Sequence, residues 1–406
     1  MFIPKIEKIT RDATITHFFL MFGYKLFSLY FPLFLVARGF SLPEVGYTYL
    51  LIYLPIALSA PFVGFLNHKV NPAILASIGI LGYGIYALGM ILIQNVALFY
   101  FWQVLLGISA ALFFVSARAI LMGSTLESYD RAFGWFYSVP FYADALAPAV
   151  GALFIWKFNF IGVFIFSLIL QIFTAIFCFT RLNFAGQNLG GFTQLKKQEI
   201  KPLNKFFSFR GFQQNYQKIF KTIKGKDILP PILISFSVLL VSGFYQAFLV
   251  LFLKNSLGWS KNLILVFVSL FLALFLPISL FLINQLAKFK SEKNIFQGGI
   301  ITGIFSILFG AMVPIINFFN ILLINFGRAA GDLICNSGRS GLISQKLKEN
   351  PEEAGAIDTI FSPLGVALGA GIAGAIIGIL GYQLLFIFGG IFVIIMGFLG
   401  KKLAKM

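Results

Sequence analysis

The sequence predicts an all-α integral membrane protein of twelve transmembrane helices in two pseudo-symmetric six-helix bundles. Three observations predict it. Of 406 residues, 59% are hydrophobic and only 11% charged, a balance that leaves too little polar surface for a soluble chain of this length. Apolar runs of about 20 residues or more, the length that crosses a bilayer, recur in two groups of six. The second group repeats features of the first at an offset of about 219 to 222 residues.

The first run, at 13–37, begins within MFIPKIEKITRDATITHFF, which has basic residues but no short apolar core ending in a small-residue cleavage site. It is read as a retained first span. Further runs at 45–66, 72–94, 97–118, 133–156 and 159–181 complete an N-terminal bundle over residues 1–181. Runs at 229–253, 262–286, 294–317, 319–340, 354–379 and 382–400 make a C-terminal bundle over 229–406. The 3–4 and 9–10 connections are so short that a coarser reading fuses them.

Between the bundles lies a basic linker, residues 182–228, opening with flexible AGQNLGG. Within it Phe209, Phe212, Tyr216, Ile219, Phe220 and Ile223 keep helical spacing, and Arg210, Lys218, Lys221 and Lys224 give a basic side. Two readings stand for it: an amphipathic helix lying on the inner leaflet, or a solvated linker. Gly211 weakens the helix.

Lys and Arg resist translocation and accumulate in cytoplasmic loops. With the N-terminus inside, 25 of the 31 Lys and Arg fall in cytoplasmic segments and 4 in outer loops, leaving Lys25 and Arg328 inside spans. Arg118, Arg131 and Arg339 are among the 25. Both termini are therefore expected in the cytoplasm of a multi-pass protein of the cell membrane. The net charge of +17 is then spread over loops that face anionic headgroups, without any nucleic-acid partner. Cys178 and Cys335 both sit in apolar runs, which leaves neither a disulfide framework nor a thiolate metal site.

Matching segments carry the repeat. RGFSLPEVG after span 1 answers LGWSKNLIL after span 7, and VSARAILMGS ending span 4 answers NSGRSGLISQ ending span 10. ALAPAVGAL in span 5 answers ALGAGIAGA in span 11. A six-plus-six duplication accounts for all three.

On these features the chain resembles the major facilitator superfamily over nearly its whole length. The family's diagnostic 2–3 loop reads glycine, two variable positions, a small residue, Asp, Arg, a variable position, Gly, Arg, Lys. Here it is GFLNHKVNPA: Gly64 and Lys69 are kept, His68 stands where the Asp belongs, and Asn71, Pro72 and Ala73 replace the ending. These residues, Gly64, His68 and Lys69, are the expected gating loop. Span 5 carries ADALAPAVGA, similar to the glycine and proline motif of the superfamily's drug:proton antiporters, with Pro148 and Gly151 retained. The resemblance implies a transporter, and the span 5 motif tilts it toward export.

Charge inside the spans points to the site. On span 10, Asn325, Arg328, Asp332, Asn336 and Arg339 fall within an arc of about 80° at 100° per residue. An Arg or Asp facing lipid at a helix centre costs roughly 2.5 to 3.5 kcal/mol, so this stripe must face protein or water. Lys25 lies about halfway along span 1 and Asp144 about halfway along span 5. In the family's arrangement spans 1, 4, 7 and 10 line the cavity and 2, 5, 8 and 11 flank it, so the resemblance implies that Lys25, Asp144, Arg328 and Asp332 converge near the midplane, one pair in each half.

Two readings remain open here: fixed ion pairs that pin helices, or groups of which at least one carboxylate exchanges its partner for a proton or substrate. Asp144 is the better candidate carrier, because substrate movement that parts it from Lys25 would change its protonation. Asp332, tethered to Arg328 on the same helix, is the more fixed element. Asp358, one turn into span 11, lies too near the cytoplasm for a midplane carrier. Tyr24, Ser28, Gln103, Ser242, Tyr245 and Gln246 could hydrogen-bond a substrate or simply bond between helices.

Other signals fade. GAGIAG, residues 369–374, lies inside a spanning helix with no preceding strand, and close helix packing explains its glycines. His17 and His68 lack metal-ligand spacing, and no phosphate-binding glycine-lysine loop is present. The expectation is a secondary transporter and not an enzyme, monomeric, needing no cofactor beyond a coupling proton. It would export a small amphipathic molecule by proton-coupled alternating access. The alternatives are an importer of an organic anion held by Lys25 and Arg328, or a non-transporting receptor or scaffold with structural ion pairs.

Overall fold

The structure, a computed structural model, describes residues 4–28, 39, 42–93, 95–187 and 227–404, together with 213, 214, 217, 220–222, 224 and 225. All regular structure among them is helical. Span 1 is Lys8–Ser28, span 2 Leu42–Asn67, span 3 Pro72–Ile91 and span 4 Val96–Gly123. Spans 5 and 6 run on as Tyr129–Gln187, broken at Asn159. Span 7 is Leu229–Asn255, span 8 Lys261–Leu286, span 9 Ser291–Met312 and span 10 Phe318–Lys346. Spans 11 and 12 run on as Pro351–Ala404, broken at Gly381. Together they form the twelve helices of two bundles. The end of span 1 expected at 29–37, Arg38, and most of the amphipathic segment (Phe209, Arg210, Phe212, Tyr216, Lys218, Ile219 and Ile223) lie outside the described residues.

The shortest connections divide the helices; they do not fuse them. Asn95 caps span 4 by accepting from Leu98 N, and Asn317 caps span 10 by accepting from Phe319 N and Asn320 N. An asparagine side chain at this position satisfies amides that have no partner inside the helix. The 5–6 and 11–12 joins, two residues long between the expected spans, each turn on a single residue. Asn159 sits at φ 58°, ψ −175° and Gly381 at φ 67°, ψ 174°. That region is nearly closed to side chains bearing a Cβ, so Asn159 holds a corner for which glycine is the natural residue.

These corners give the repeat a physical form. Asn95 and Asn317 are 222 residues apart, as are Asn159 and Gly381. Gly39 at φ 88° and Gly258 at φ 66°, which follow spans 1 and 7, are 219 apart. Close helix approach also recurs. A methyl added at Gly151 of span 5 would overlap the Leu26 carbonyl of span 1, and one at Gly369 of span 11 would overlap the Leu240 carbonyl of span 7. Each half thus packs its fifth helix on its first, backbone against backbone.

Helices 4 and 10 continue past the expected ends, to Gly123 and Lys346. This corrects the charge count. Arg118 and Arg339, at the ends of the expected spans and counted with the cytoplasmic segments, are buried inside these helices, and Arg131 lies in the first turn of span 5. An arginine near the end of an apolar run remains helical when an acceptor waits for it in the interior, and Asp358 is that acceptor.

Contacts between the halves are dense on the side where residues 4–8 and the 2–3, 4–5, 8–9 and 10–11 connections lie, called the basal face below. Gly64 of span 2 packs on Ala356 and on the Glu352 backbone, and Gly355 of span 11 on Val115 and Ala119 of span 4. Asp130 at the start of span 5 accepts from Ser291 Oγ at 2.6 Å and Asn294 Nδ2 at 2.6 Å of span 9. Residue 5 is held there too, since Lys5 pairs with Glu127, which Arg131 bonds at 3.0 Å. The Lys5 ammonium and the Arg131 guanidinium keep the Glu127 carboxyl below its ordinary range.

Candidate functional site

Midway along the bundles, span 1 offers Lys25 and span 5 offers Asp144. The two side chains meet, Lys25 Nζ lying 2.9 Å from Oδ1 and 3.2 Å from Oδ2 of Asp144. The glycine contact at Leu26 and Gly151 brings the two backbones close enough for this. Neither partner is sealed in, for 24% of the Lys25 side chain and 30% of the Asp144 side chain stay accessible. A neutral pair that keeps an open edge can hold a polar group or yield a proton without first unfolding its surroundings.

In the C-terminal half Arg328 donates from Nη1 to Asp332 Oδ2 at 2.7 Å, one turn along span 10. This carboxylate is better satisfied than Asp144. It also accepts from Ser242 Oγ of span 7 at 2.7 Å and from Thr302 Oγ1 of span 9 at 3.2 Å. The Arg328 guanidinium lies over the Tyr245 ring, 4.3 Å from its centroid. With side-chain exposures of 13% and 14% the pair is more enclosed than Lys25 and Asp144.

A hydrogen bond of 3.1 Å from Tyr53 Oη of span 2 to Gln246 Oε1 of span 7 connects the halves at this depth. Gln246 is exposed yet bonded across the halves, so it borders the space between them. Its neighbour Tyr245 is buried under Arg328, with its ring against Phe309 and Phe386. The two ion pairs are not bonded to each other.

The remaining expected residues separate into two groups. Tyr24 stacks its ring edge-on against Phe27 and Tyr83 beside Lys25. Gln103 is fully buried in the N-terminal bundle, accepting from Tyr86 Oη at 3.2 Å and donating to the Phe99 carbonyl at 3.4 Å. Asn325 is also buried and donates to Ile321 O of its own helix at 2.8 Å. Gln103 thus ties span 4 to span 3 and Asn325 is held by its own helix, whereas Gln246 faces the gap. In the 2–3 loop Lys69 is exposed, and His68 lies 3.9 Å from Glu352 and 4.0 Å from Glu353.

Sequence reasoning missed a second charged centre toward the basal face. Asp358, fully buried, accepts from Arg339 Nε at 2.7 Å and lies 3.4 Å from Arg118 Nε. Tyr137 of span 5 reaches into it, with Oη 2.9 Å from Asp358 Oδ2, 2.7 Å from Ser340 Oγ and 3.3 Å from Arg339. Arg118 donates to Thr359 Oγ1 at 2.7 Å. Spans 4 and 5 of one half and 10 and 11 of the other converge there. The available signal was the pairing of an acid one turn into span 11 with arginines near the ends of spans 4 and 10. Among the described residues no cluster of His, Cys, Asp and Glu suits a metal ion.

Fold comparisons agree with this architecture. The human organic anion transporter MFSD10 (TETRAN) superposes with a TM-score of 0.72 at 13% identity, covering 97% of this chain and 99% of that one. The proton:xylose symporter XylE gives 0.73 at 12%, covering 98% and 95%. A bacterial homologue of the iron transporter ferroportin, in an outward-facing state, gives 0.71 at 14%, covering 98% and 99%. No curated protein matches the sequence. The family description Major Facilitator Superfamily matches residues 13–350, most of the chain. A multi-pass helical protein with two bundles, matched over that length, is a transporter, and the chain belongs to the Major Facilitator Superfamily.

Proposed function

We propose that this secondary transporter exports a small amphipathic molecule in exchange for protons, by alternating access between its two bundles. The observation that carries the reading is the Lys25–Asp144 contact, an ion pair at 2.9 Å whose partners come from two different helices and remain partly accessible. A substrate that takes up the Asp144 carboxylate in place of Lys25 needs that carboxylate charged, and a proton on Asp144 removes the charge, so the two events exclude each other at one site. Antiport is that exclusion. The span 5 sequence around Pro148 and Gly151 supports the same reading.

In this proposal the protein is a monomer of the cell membrane with both termini in the cytoplasm, the basal face inward and next to anionic headgroups. The coupling proton is its one cofactor. The domains are residues 1–181, the basic linker 182–228, and 229–406. Around the site, Tyr24, Gln246 and Tyr245 shape the gap, and Asp332 holds Arg328 in place.

Arg328 favours a second reading. Its guanidinium lies on the Tyr245 ring within the C-terminal half and keeps some exposure, a geometry that accepts a carboxylate, and a protein of the same fold is an organic anion transporter. Import of an organic anion held by Lys25 and Arg328 would follow. Proteoliposomes carrying an imposed pH gradient separate the readings. Dye extrusion with protons moving the opposite way supports antiport, and gradient-driven uptake of aromatic carboxylates with protons moving the same way supports the anion importer. A protein that binds such compounds yet moves neither them nor protons is a receptor or scaffold.

A further inference from the structure

The halves meet on the basal face through two contacts related by the internal repeat, and the two differ in chemistry. Asp130 at the start of span 5 and Glu352 at the start of span 11 are 222 residues apart. Asp130 reaches Ser291 and Asn294 at the head of span 9, neither of which can gain a proton. Glu352 and Glu353 reach the equivalent connection of the other half, and there they meet His68, with Nδ1 3.9 Å from Glu352 Oε2 and Nε2 4.0 Å from Glu353 Oε1. His68 occupies the loop position where the family's pattern has an aspartate.

An aspartate at that position would oppose these two acids. An imidazolium would attract both. The two carboxylates are buried in the first turn of span 11, whose helix N-terminus already favours negative charge. Among the described residues, the charged groups around His68 are Glu352 and Glu353 of span 11, and Lys69 beside it, exposed to solvent. Arg118 of span 4 is directed to Asp358, and Asp358 is taken up by Arg118 and Arg339. Histidine is the one ordinary side chain whose charge changes between about pH 5 and 8.

We propose that His68 with Glu352 and Glu353 is a pH-responsive latch of the basal seal, closing when His68 is protonated and loosening when it is neutral. The sign follows from the contact. The charged imidazole attracts both acids at these distances only while the bundles touch, so a lower pH on the basal side stabilises the closed arrangement seen here. Raising that pH removes the contact and lets the basal side open. Acidity on that side would therefore slow the cycle through the latch, separately from any proton carried at Asp144. The inference rests on the alternating-access reading and not on proton coupling.

Spin labels at Lys8→Cys and Lys348→Cys, exposed on the basal ends of the two halves, report the separation, while native Cys178 and Cys335 are buried. Distance distributions are taken in lipid nanodiscs from about pH 5.5 to about pH 8. The short-distance population of the wild type should fall relative to the long one by roughly three- to tenfold over that range. His68→Lys should stay mostly short at every pH, and His68→Gln should stay mostly long with little response. A His68→Gln protein that keeps the wild-type response, or a wild type whose two populations ignore pH, overturns the latch and leaves alternating access standing. A single distance in every variant at every pH overturns both.

Discussion

Asp144 and Asp358 show how differently two intramembrane carboxylates can be used. Asp144 has one cationic partner and an open edge; Asp358 has two guanidinium groups, a tyrosine and a serine around it and no exposure. Neutralising them should separate transport from stability. Asp144→Asn is expected to fold with an unchanged melting temperature and to lose pH-driven transport while still exchanging substrate down its own gradient, measured in proteoliposomes. Full pH-driven transport in that variant would remove Asp144 as carrier. Asp358→Asn leaves two buried arginines without their acid and should cost about 3 to 5 kcal/mol, since breaking a buried pair strands the remaining charge. The measurement is thermal unfolding in detergent, where this variant should melt well below Asp144→Asn.

At the scale of the element, single residues set where helices turn and how closely they approach. Gly381→Ala forces a Cβ into a positive-φ corner and should cost about 1 to 3 kcal/mol, whereas Asn159→Gly, at the equivalent corner, should be neutral or stabilising. Comparing the two melting temperatures tests whether both corners carry the same strain. Gly151→Val would push span 5 off span 1 and so lengthen the Lys25–Asp144 contact, lowering transport without touching either charge. Apolar run length made most of these elements legible in the sequence, because lipid demands a continuous apolar helix whatever its neighbours are. The corners are set by backbone conformation, which hydropathy does not sense, so the run bounds located the 5–6 and 11–12 joins without showing that each turns on one residue. Lys25, Asp144, Arg328 and Asp332 stood out because charge far from either end of an apolar run has no water to reach. Arg339 stood on the inward stripe of span 10, yet it and Arg118 lie near run ends, where the charge count put both with the cytoplasmic segments, and their common partner on span 11 shows what holds them.

For the whole molecule, the basal centre has to part and re-form if the bundles rock. Its composition suits that task. Asp358 and Arg339 belong to the same half and stay paired at 2.7 Å whatever the other half does, while Arg118, from the opposite half, contributes the 3.4 Å contact and the bond to Thr359. Opening therefore releases an arginine into an entering water layer and never leaves the carboxylate alone, which avoids the cost of an unpaired buried charge. Arg118→Met should consequently keep the fold, since Arg339 still balances Asp358, and should shift the population toward a basally open state. A Ser340→Cys reporter beside Tyr137 reads this through labelling by a water-soluble maleimide. Labelling should rise several-fold in Arg118→Met over the Ser340→Cys parent, with a melting temperature much closer to the parent than that of Asp358→Asn. Equal labelling in the two backgrounds would mean that Arg118 contributes to packing alone and that the seal is held elsewhere along spans 2, 5, 8 and 11.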